Sequence, residues 1–291
     1  MIETKKFTAL DVVIYLIVSI VSLVSISPFI YIVGVSLTDP SVYVPYKLYL
    51  IPDKVSLASY QYVIGNSGFV NALKNTILIT VVGTVLNIAF TFTMAYGLTK
   101  KEIPHRNLMM GVVIFALLFS AGIVPNYLLV KQLGLINSHW ALILPALTNS
   151  WMIIIAKSFL EALPKELEES AKIDGYHEIG IFLKIILPLS KASIATLTLF
   201  FAVGHWNTYF NAMIYLTDAT KQTLQVFVKS LLVDSSTSSS GDSGMAIDAL
   251  NIPSETVRMA TVILAMLPIL IVYPFVQRYF IKGVMLGSIK G

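Results

Sequence analysis

The sequence has no cysteine and few charged residues, and both shortages limit what the protein can be. Aspartate, glutamate, lysine and arginine make up 12% of the 291 residues, whereas soluble domains carry about 25%. Without cysteine there is no disulfide framework, no thiolate nucleophile and no cysteine-ligated metal site. Hydrophobic residues reach 56% and the net charge is only +4, so the composition indicates a membrane protein and argues against nucleic-acid binding.

Motifs for common chemistry are also missing. The chain has no G-x-x-x-x-G-K-[ST] phosphate loop, no H-E-x-x-H and no G-x-S-x-G. Its four histidines fall in different segments and predict no metal site. The long apolar runs carry almost no acidic or basic residues, which argues against a proton-coupled carrier. We therefore expect a protein that is not an enzyme and that binds no nucleotide, metal or other cofactor itself.

Six apolar stretches are long enough to cross a bilayer, which takes about 20 residues in a helix. The sequence thus predicts an all-α integral membrane protein with six transmembrane helices in one domain, residues 1–291. The first stretch resembles a signal peptide, but it is too long, and Pro28 follows the small-residue triplet at 25–27. The predicted spans are residues 12–35, 70–98, 108–130, 140–160, 192–216 and 257–281.

The distribution of basic residues predicts the orientation of these spans. Counted over alternate gaps, thirteen of the twenty lysines and arginines lie on the side of both termini and seven on the other side. Cytoplasmic loops carry the excess of positive charge. We therefore expect both termini, and the gap at 161–191, to be cytoplasmic.

The last outer gap, residues 217–256, has the composition of a flexible loop. It contains DSSTSSSGDSG, a run with too little apolar surface to order itself. The sequence predicts a flexible tip at 234–244.

The gap at 161–191, here called the central loop, holds most of the concentrated charge. Pro164 and three glutamates suit the first turn of a short helix, and Gly175 after Asp174 suits its end. Apolar residues at helical spacing then predict a second amphipathic helix that ends near Pro188. Its apolar underside is predicted to consist of Ile179, Phe182, Leu183 and Ile186. The pattern predicts helix, turn, helix, with an apolar underside and a charged top. An ordinary connector between two spans is the alternative interpretation.

Seven residues at fixed spacing match a known signature in this loop: Glu169, Ser170, Ala171, Gly175, Ile185, Leu187 and Pro188. The run resembles the E-A-A, three residues, G, nine residues, I-x-L-P motif of the transmembrane subunits of binding-protein-dependent ABC importers. The one departure is Ser170 for the first alanine, a change between small residues. The six-span layout and the tail RYFIKGVMLGSIKG are similar to the carbohydrate branch, related to the maltose-importer permeases, and most of all to permeases for complex oligosaccharides.

The resemblance implies a type I ABC importer permease fold in a bacterial plasma membrane. It implies a second permease subunit, usually a different chain, two copies of a cytoplasmic ATPase that carry ATP and Mg, and an extracytoplasmic sugar-binding protein. It also implies that Glu169, Ala171 and Gly175 belong to a coupling helix that is seated on the ATPase, with Ser170, Asp174, Ile185, Leu187 and Pro188 completing the loop. The tip at 234–244 is a candidate contact with the binding protein.

Polar residues within the predicted spans are candidates for a sugar path. Asn207 and Asn211 are one helical turn apart in the fifth span, and Trp206 and Tyr209 offer ring faces for sugars. Aromatic residues near a helix end are also typical of an interfacial belt. Asn149 in the fourth span is a weaker candidate of the same kind.

The second predicted span carries a polar stripe, and His205 precedes the aromatic group of the fifth. Such a stripe must face other helices or water in the bilayer, so it either packs helices or lines a path. His205 is predicted to be a neutral histidine that is packed or faces the path. The stripe consists of Thr76, Thr80, Thr84, Asn87 and Thr91.

The function predicted from these observations is ATP-driven oligosaccharide import by alternating access, with this chain as a pore-forming subunit. An ATP-independent secondary carrier or channel for a polar solute is the alternative, and a membrane-embedded scaffold or enzyme is a third possibility. Copurification with an ATPase distinguishes the first of these from the other two.

Overall fold

The structure, a computed structural model, describes residues 9–237 and 254–287, and these are helical with one isolated bridge between Thr38 and Val55. The α-helices in chain order are α1 (Ala9–Ser36), α2 (Ala58–Gly65), α3 (Ser67–Thr99), α4 (Arg106–Leu118), α5 (Ile123–Gln132), α6 (Trp140–Ile143), α7 (Ser150–Glu161), α8 (Glu166–Ile173), α9 (Glu178–Ile181), α10 (Leu187–Leu189), α11 (Lys191–Trp206), α12 (Phe210–Tyr215), α13 (Leu224–Thr237) and α14 (Ser254–Gly287). Single turns of 3-10 helix cover Pro40–Val42, Leu144–Ala146 and Ala219–Lys221, and a π-helical segment covers Phe182–Ile186.

Three of these helices are long and apolar enough to cross a membrane unaided: α1, α3 and the part of α14 from Glu255 to Pro274. Three bent pairs pass the same test when each is taken as one span, so the described residues hold between three and six candidate spans. The pairs are Arg106–Leu118 with Ile123–Gln132, bent by 117°, Trp140–Ala146 with Ser150–Glu161, bent by 51°, and Glu178–Leu189 with Lys191–Trp206, bent by 81°.

The third and fourth predicted spans are not the continuous helices that we expected. Residues 108–130 break before Gly122, whose φ of +84° is in a region that glycine adopts without a side-chain clash. Residues 140–160 break at 147–149, where Asn149 has extended backbone and caps the next helix. Both stretches are apolar enough for one span, but local breakers divide them.

The fifth predicted span, 192–216, also divides, since α11 ends at Trp206 and α12 begins at Phe210. Two side chains at the break hydrogen-bond to carbonyls of the preceding turn: Asn207 Nδ2 donates to Val203 O at 3.0 Å and Thr208 Oγ1 to Gly204 O at 3.1 Å. Side chains of this kind compete with the helical hydrogen-bond ladder. Asn207 and Asn211 are consequently on different helices, contrary to our prediction.

The last outer gap is partly helical, which corrects the prediction of a flexible loop over 217–256. Helix α13 covers Leu224–Thr237, and Leu224 and Val226 are buried at its start. The apolar run LQVFVKSLL has enough apolar surface to pack, which the serine-rich run that follows does not. Of the predicted tip, 234–237 belongs to α13, and 238–244 lies outside the described residues.

The chain divides into two compact units. The first comprises residues 1–66 and 230–266. In it, Tyr49 is fully buried against the end of α1, where a side chain at Gly34 would place Cβ 2.1 Å from the Tyr49 carbonyl oxygen. Glycine is required at position 34 because the backbone approaches so closely there. In the same unit, Ser59 Oγ donates to Thr256 Oγ1 at 3.0 Å, which joins α2 to α14.

The second unit comprises residues 67–229 and 267–291 and contains the central loop. Helices α3, α7 and α11 pack together at its centre. Their apolar side chains continue without interruption into the residues of the loop, so one core serves both. The buried members of this core are Phe92, Ala95, Tyr96, Ala156, Leu160, Ala171, Ile181, Ile186, Leu197 and Phe201.

Candidate functional site

The first helix of the central loop, α8, has well-formed ends. Glu166, Glu168 and Glu169 occupy its first turn, where negative charge stabilises the positive end of the helix dipole. Pro164 lies just before the helix instead of inside its first turn, and its carbonyl accepts from Leu167 N at 3.4 Å. The charged first turn that we predicted is therefore confirmed, but Pro164 lies outside it, one residue before the N-cap Lys165.

The turn after α8 is a Schellman motif centred on Gly175. Gly175 N donates to Lys172 O at 3.1 Å, and Tyr176 N donates to Ala171 O at 3.0 Å. The motif needs a left-handed residue at this position, and Gly175 has φ +81°. Asp174 directly precedes it as the C-cap residue. The helix stop predicted from the sequence is confirmed, and its geometry explains why glycine stands there.

The second helix of the loop contains a π-helical segment. It starts as α9 after His177, continues as the π-helical segment Phe182–Ile186 and ends with α10. Pro188 in α10 has no amide hydrogen, so the regular ladder cannot run through it. A π segment takes up an extra residue per turn, and the side chains on either side of it are rotated relative to an ideal helix.

This rotation changes which apolar residues face inward. Ile181 and Ile186 are buried, and Ile185 and Leu187 pack partly against the same core. Ile179 and Leu183, which we expected on the underside, are instead 74% and 55% exposed. The inward face of the loop is apolar, as predicted.

The outward face of the loop is apolar as well as charged, which corrects the prediction of a charged top. Ile173 at the end of α8 is 87% exposed, and Leu167 and Tyr176 are also exposed. Glu169 and Ser170 lie on the same helix and are exposed. Ile179 and Leu183 of the second helix are exposed too, so the loop carries several exposed apolar side chains beside charged ones, a combination that marks protein interaction sites.

An ionic network fastens the loop to the end of α3, and sequence reasoning did not find it. Lys100 Nζ pairs with Glu168 of α8, lies 3.3 Å from Glu178 Oε2 of α9, and lies 4.3 Å from the centroid of the Tyr96 ring. Tyr96 donates from its hydroxyl to Glu178 Oε2 at 2.9 Å, and Lys172 Nζ lies 2.7 Å from Glu178 Oε1. No spacing rule links Lys100 to residues some 70 positions later, so only the fold brings them together.

The pKa values of these groups follow from their partners. The hydrogen bond from Lys172 is the largest cause that lowers the pKa of Glu178 to about 2, with Tyr96 and Lys100 adding to it. Burial is the largest single influence on Lys100 and lowers its pKa, but the contacts with Glu168 and Tyr96 together outweigh burial, so the pKa of Lys100 is raised. Lys100, Lys172 and Glu178 are therefore ionised at neutral pH.

Asn87, one of the predicted path residues, is buried in a polar contact between helices. His205 Nε2 donates to Asn87 Oδ1 at 2.6 Å, and Asn87 Nδ2 donates to Ala146 O. This arrangement gives His205 its proton on Nε2, because Asn87 Oδ1 can only accept. The His205 ring packs over Gly83, where no side chain intervenes. Asn87 thus joins α3, α11 and the turn at Leu144–Ala146.

The polar stripe on α3 belongs to the same interior. Thr76, Thr84 and Thr91 are buried, and Thr76 Oγ1 accepts from Leu224 N at 2.8 Å. Trp206 is also buried. Of the two interpretations of the stripe, these positions favour helix packing.

The other predicted path residues lie at helix ends or in short helices. Asn149 is the N-cap of α7, and its Oδ1 accepts from Met152 N at 3.2 Å. Asn207 and Asn211 are exposed on either side of the break between α11 and α12. Tyr209 lies in that break, and its hydroxyl donates to Met213 Sδ at 3.3 Å. The hydrogen bonds of Asn149, Asn207 and Tyr209 are local, to residues three or four positions away.

Membrane-length helices and one ordered, partly apolar loop define the class: a multi-pass helical membrane protein with a loop anchored in its core. Residues 101–286 match the family model described as binding-protein-dependent transport system inner membrane component. The chain therefore belongs to this family and is a transport permease subunit of the inner membrane, not an enzyme.

Similar proteins agree with this assignment. Protein LplC of Bacillus subtilis is 43% identical to this chain, and the aligned region covers 99% of this chain and 97% of LplC. The polygalacturonan/rhamnogalacturonan transport system permease protein YtcP of the same organism is 41% identical over 97% of this chain and 98% of its own.

A solved structure gives the fold. In the crystal structure of a bacterial ABC transporter involved in the import of the acidic polysaccharide alginate, one chain superposes with a TM-score of 0.88 at 30% identity, covering 95% of this chain and 100% of that one. The chain thus has the type I ABC importer permease fold.

Proposed function

We propose that this chain is one of two pore-forming permeases of an ATP-driven oligosaccharide importer and that the central loop couples it to ATPase subunits. The observation that carries the proposal is the form of the loop. Its inward face is part of the core shared by α3, α7 and α11, and its outward face is exposed and apolar. A partner bound to the outside would therefore push directly on the helices.

Each residue of the motif has a part in this proposal. Glu169 and Ser170 face the partner from α8, while Ala171 is buried and allows α8 to approach the core closely. Asp174 and Gly175 end α8 abruptly, so that the helix stays short and stiff. Ile185 and Leu187 pack against the core, and Pro188 interrupts the hydrogen-bond ladder of the second helix. A stiff loop transmits displacement, whereas a flexible one would absorb it.

The mechanism is alternating access driven from outside the chain. Closure of two ATPases around nucleotide draws the two coupling helices together and moves the helices between inward-facing and outward-facing arrangements. ATP and Mg are bound by the ATPases, since this chain has no phosphate loop. An extracytoplasmic binding protein supplies the sugar, and a second permease, a different chain, completes the pore.

We further propose six spans with both termini in the cytoplasm. The three bent pairs supply the additional crossings beyond α1, α3 and α14. The bias of lysine and arginine places the central loop on the cytoplasmic side, which is the side where ATP is available. The charge bias supports this orientation, and coupling to a cytoplasmic ATPase requires it.

The substrate class that we propose is complex oligosaccharides derived from polysaccharides. YtcP is named for polygalacturonan and rhamnogalacturonan, and the transporter with the matching fold imports alginate. Asn207, Asn211 and Tyr209 are the candidates for direct sugar contact in this chain, because they are at least partly exposed. Asn87, Asn149 and Trp206 are supporting residues under this proposal.

The test is uptake by the complete complex from cells that express the chain with its own partners. The chain is tagged and the copurifying proteins are identified by mass spectrometry. Uptake is then measured with partial digests of polygalacturonan, rhamnogalacturonan and alginate. We expect an ATPase and a sugar-binding protein to copurify and at least one digest to be taken up in an ATP-dependent manner.

A substitution in the loop tests the coupling itself. Glu169→Lys reverses a charge on the outward face and should abolish most of the uptake while the chain stays in the membrane. Ser170→Ala is the matched control next to it, since alanine is the residue that the motif usually has, and should keep uptake. Normal uptake by Glu169→Lys would contradict the role of the loop. Counterflow by the isolated chain without ATP would favour a secondary carrier.

A further inference from the structure

The cytoplasmic end of α3 carries a lysine that contacts both helices of the central loop. Lys100 follows directly after α3 and reaches Glu168 on α8 and Glu178 on α9. Its side chain is only 12% exposed, although it carries a charge. A lysine is rarely held so far from water unless its charge is matched, so the site around it is specific.

Four charges balance within this site. Lys100 and Lys172 face Glu168 and Glu178, and Glu178 accepts from both lysines as well as from Tyr96. Removing Lys100 would leave two carboxylates against one remaining lysine, which lies on the more exposed side. Glu168 would lose the partner that the structure gives it. The two loop helices would then lose the ionic contact that they share at the end of α3.

Aromatic packing also holds Lys100 in position. The Tyr96 ring lies under Lys100 Nζ and stacks on Phe182, with ring centroids 4.9 Å apart and planes 29° apart. A cation above an aromatic face is attracted to the ring. Tyr96 belongs to α3 and Phe182 to the π-helical segment, so the same stack joins α3 to the second helix of the loop.

The apolar core and the ionic network restrain the loop in different ways. Hydrophobic contact is non-directional, so it resists separation of the loop from the helices better than rotation or sliding. Charge-assisted hydrogen bonds are short and directional. The contacts of Lys100 therefore set the angle at which α8 is presented, which the apolar underside alone leaves free.

From this geometry we infer that Lys100 is a positioning residue, which locks α8 and α9 to the end of α3 so that the loop and α3 move as one rigid body. The inference rests on the proposed coupling function and specifies which helix receives the movement of the loop first. Helix α3 has 33 residues and packs against α7 and α11. Displacement of the loop is thus passed to the centre of the bundle.

The experiment measures both geometry and coupling in the assembled complex in nanodiscs. Because the chain has no cysteine, spin labels can be placed at K101C and E166C, two exposed positions at the end of α3 and the start of α8. Distance distributions are recorded without nucleotide and after vanadate trapping. In parallel, ATP hydrolysed per sugar imported is measured in proteoliposomes with the digest that the complex takes up.

We expect the original chain to give the same narrow distribution in both states. Lys100→Met, which keeps the length of the side chain and removes the charge, should broaden it and raise the ATP used per sugar several-fold, with the ATPase still bound. Lys100→Arg should recover most of the narrow distribution. Lys74→Met, which removes an exposed lysine near the other end of α3 and outside the central loop, is the matched control and should change neither quantity.

Two results would overturn the inference: an unchanged distribution in Lys100→Met, or a parallel fall of ATPase activity and uptake that leaves their ratio constant. The second pattern is what a purely structural role predicts. A failure of the proposed function looks different, because the original complex would then hydrolyse no ATP or import none of the digests. In that case the spin-label distances still decide whether Lys100 fixes α8.

Discussion

At the scale of single residues, the polar interior of the second unit depends on a glycine. Gly83 lies under the His205 ring, and a Cβ there would be 2.5 Å from His205 Nε2. The ring cannot simply turn away, because it is buried and donates to Asn87, which in turn donates to Ala146 O. One small residue thus permits a contact that joins three segments.

We predict that Gly83→Ala destabilises the protein. The added methyl group displaces the His205 ring and breaks its hydrogen bond to Asn87, and overpacking of this kind costs about 1–3 kcal/mol. The unfolding temperature in detergent should fall, and it can be followed by loss of the soluble monodisperse fraction on heating.

Gly111→Ala is the control for this change. Gly111 also lies within a helix, α4, but nothing is within 4 Å of a Cβ at that position. Alanine is favoured over glycine in a helix by about 1 kcal/mol, so this variant should be as stable as the original or more stable. Equal destabilisation by both substitutions would show that the His205 contact is not the cause.

At the scale of helices, the breaks in the apolar runs distinguish this protein from a simple bundle. Three of the predicted spans are divided by small or polar residues, and the second helix of the central loop carries a π-helical segment before Pro188. That segment lets Ile181 and Ile186, five residues apart, both face the core, whereas Leu183 within it is exposed. The exposed side of the loop therefore depends in part on irregular helix geometry.

Asn149 provides a prediction at this scale. As the N-cap of α7 it accepts from Met152 N, and loss of such a cap costs about 1 kcal/mol. Asn149→Ala should lower the unfolding temperature. Asn149→Ser keeps a capping oxygen on a shorter side chain, so it should restore stability and leave uptake per folded molecule unchanged.

The serine variant separates the two roles considered for Asn149. A sugar ligand would lose its contact when the side chain is shortened, whereas a cap would not. Reduced uptake by Asn149→Ser at normal stability would therefore argue for direct sugar contact and against the capping role alone.

At the scale of the whole molecule, the proposed coupling depends on the orientation of the chain in the membrane. Coupling requires the central loop to be on the side where ATP is available, and the segment between α1 and α2 to be on the other side. Since the chain has no cysteine, single cysteines report accessibility without background.

We predict opposite labelling for two such variants in intact cells. Leu48→Cys, at an exposed position between α1 and α2, should react with a membrane-impermeant maleimide added outside. Lys165→Cys in the central loop should react only after permeabilisation. Labelling of Lys165→Cys in intact cells would reverse the proposed orientation and remove the ATPase from contact with the loop.

Much of the fold could be predicted from composition and local pattern. Membrane location follows from hydropathy, and the ranges of α1, α3 and α14 follow from the length of apolar runs. The turn at Gly175 was also predictable, because a Schellman motif is a local structure with a local residue preference. The divided spans were harder, since the apolar run is the same whether or not a helix bends within it.

By itself, the sequence determined that this is a multi-pass membrane protein with a short, glycine-terminated helix in a charged loop, because hydrophobicity and helix caps act over a few neighbouring residues. Only the tertiary structure decided which side of that loop is free, that Asn87 and His205 serve packing, and that Lys100 ties the loop to α3. These properties depend on residues that are distant in the chain and meet only when the helices pack, so no local pattern records them.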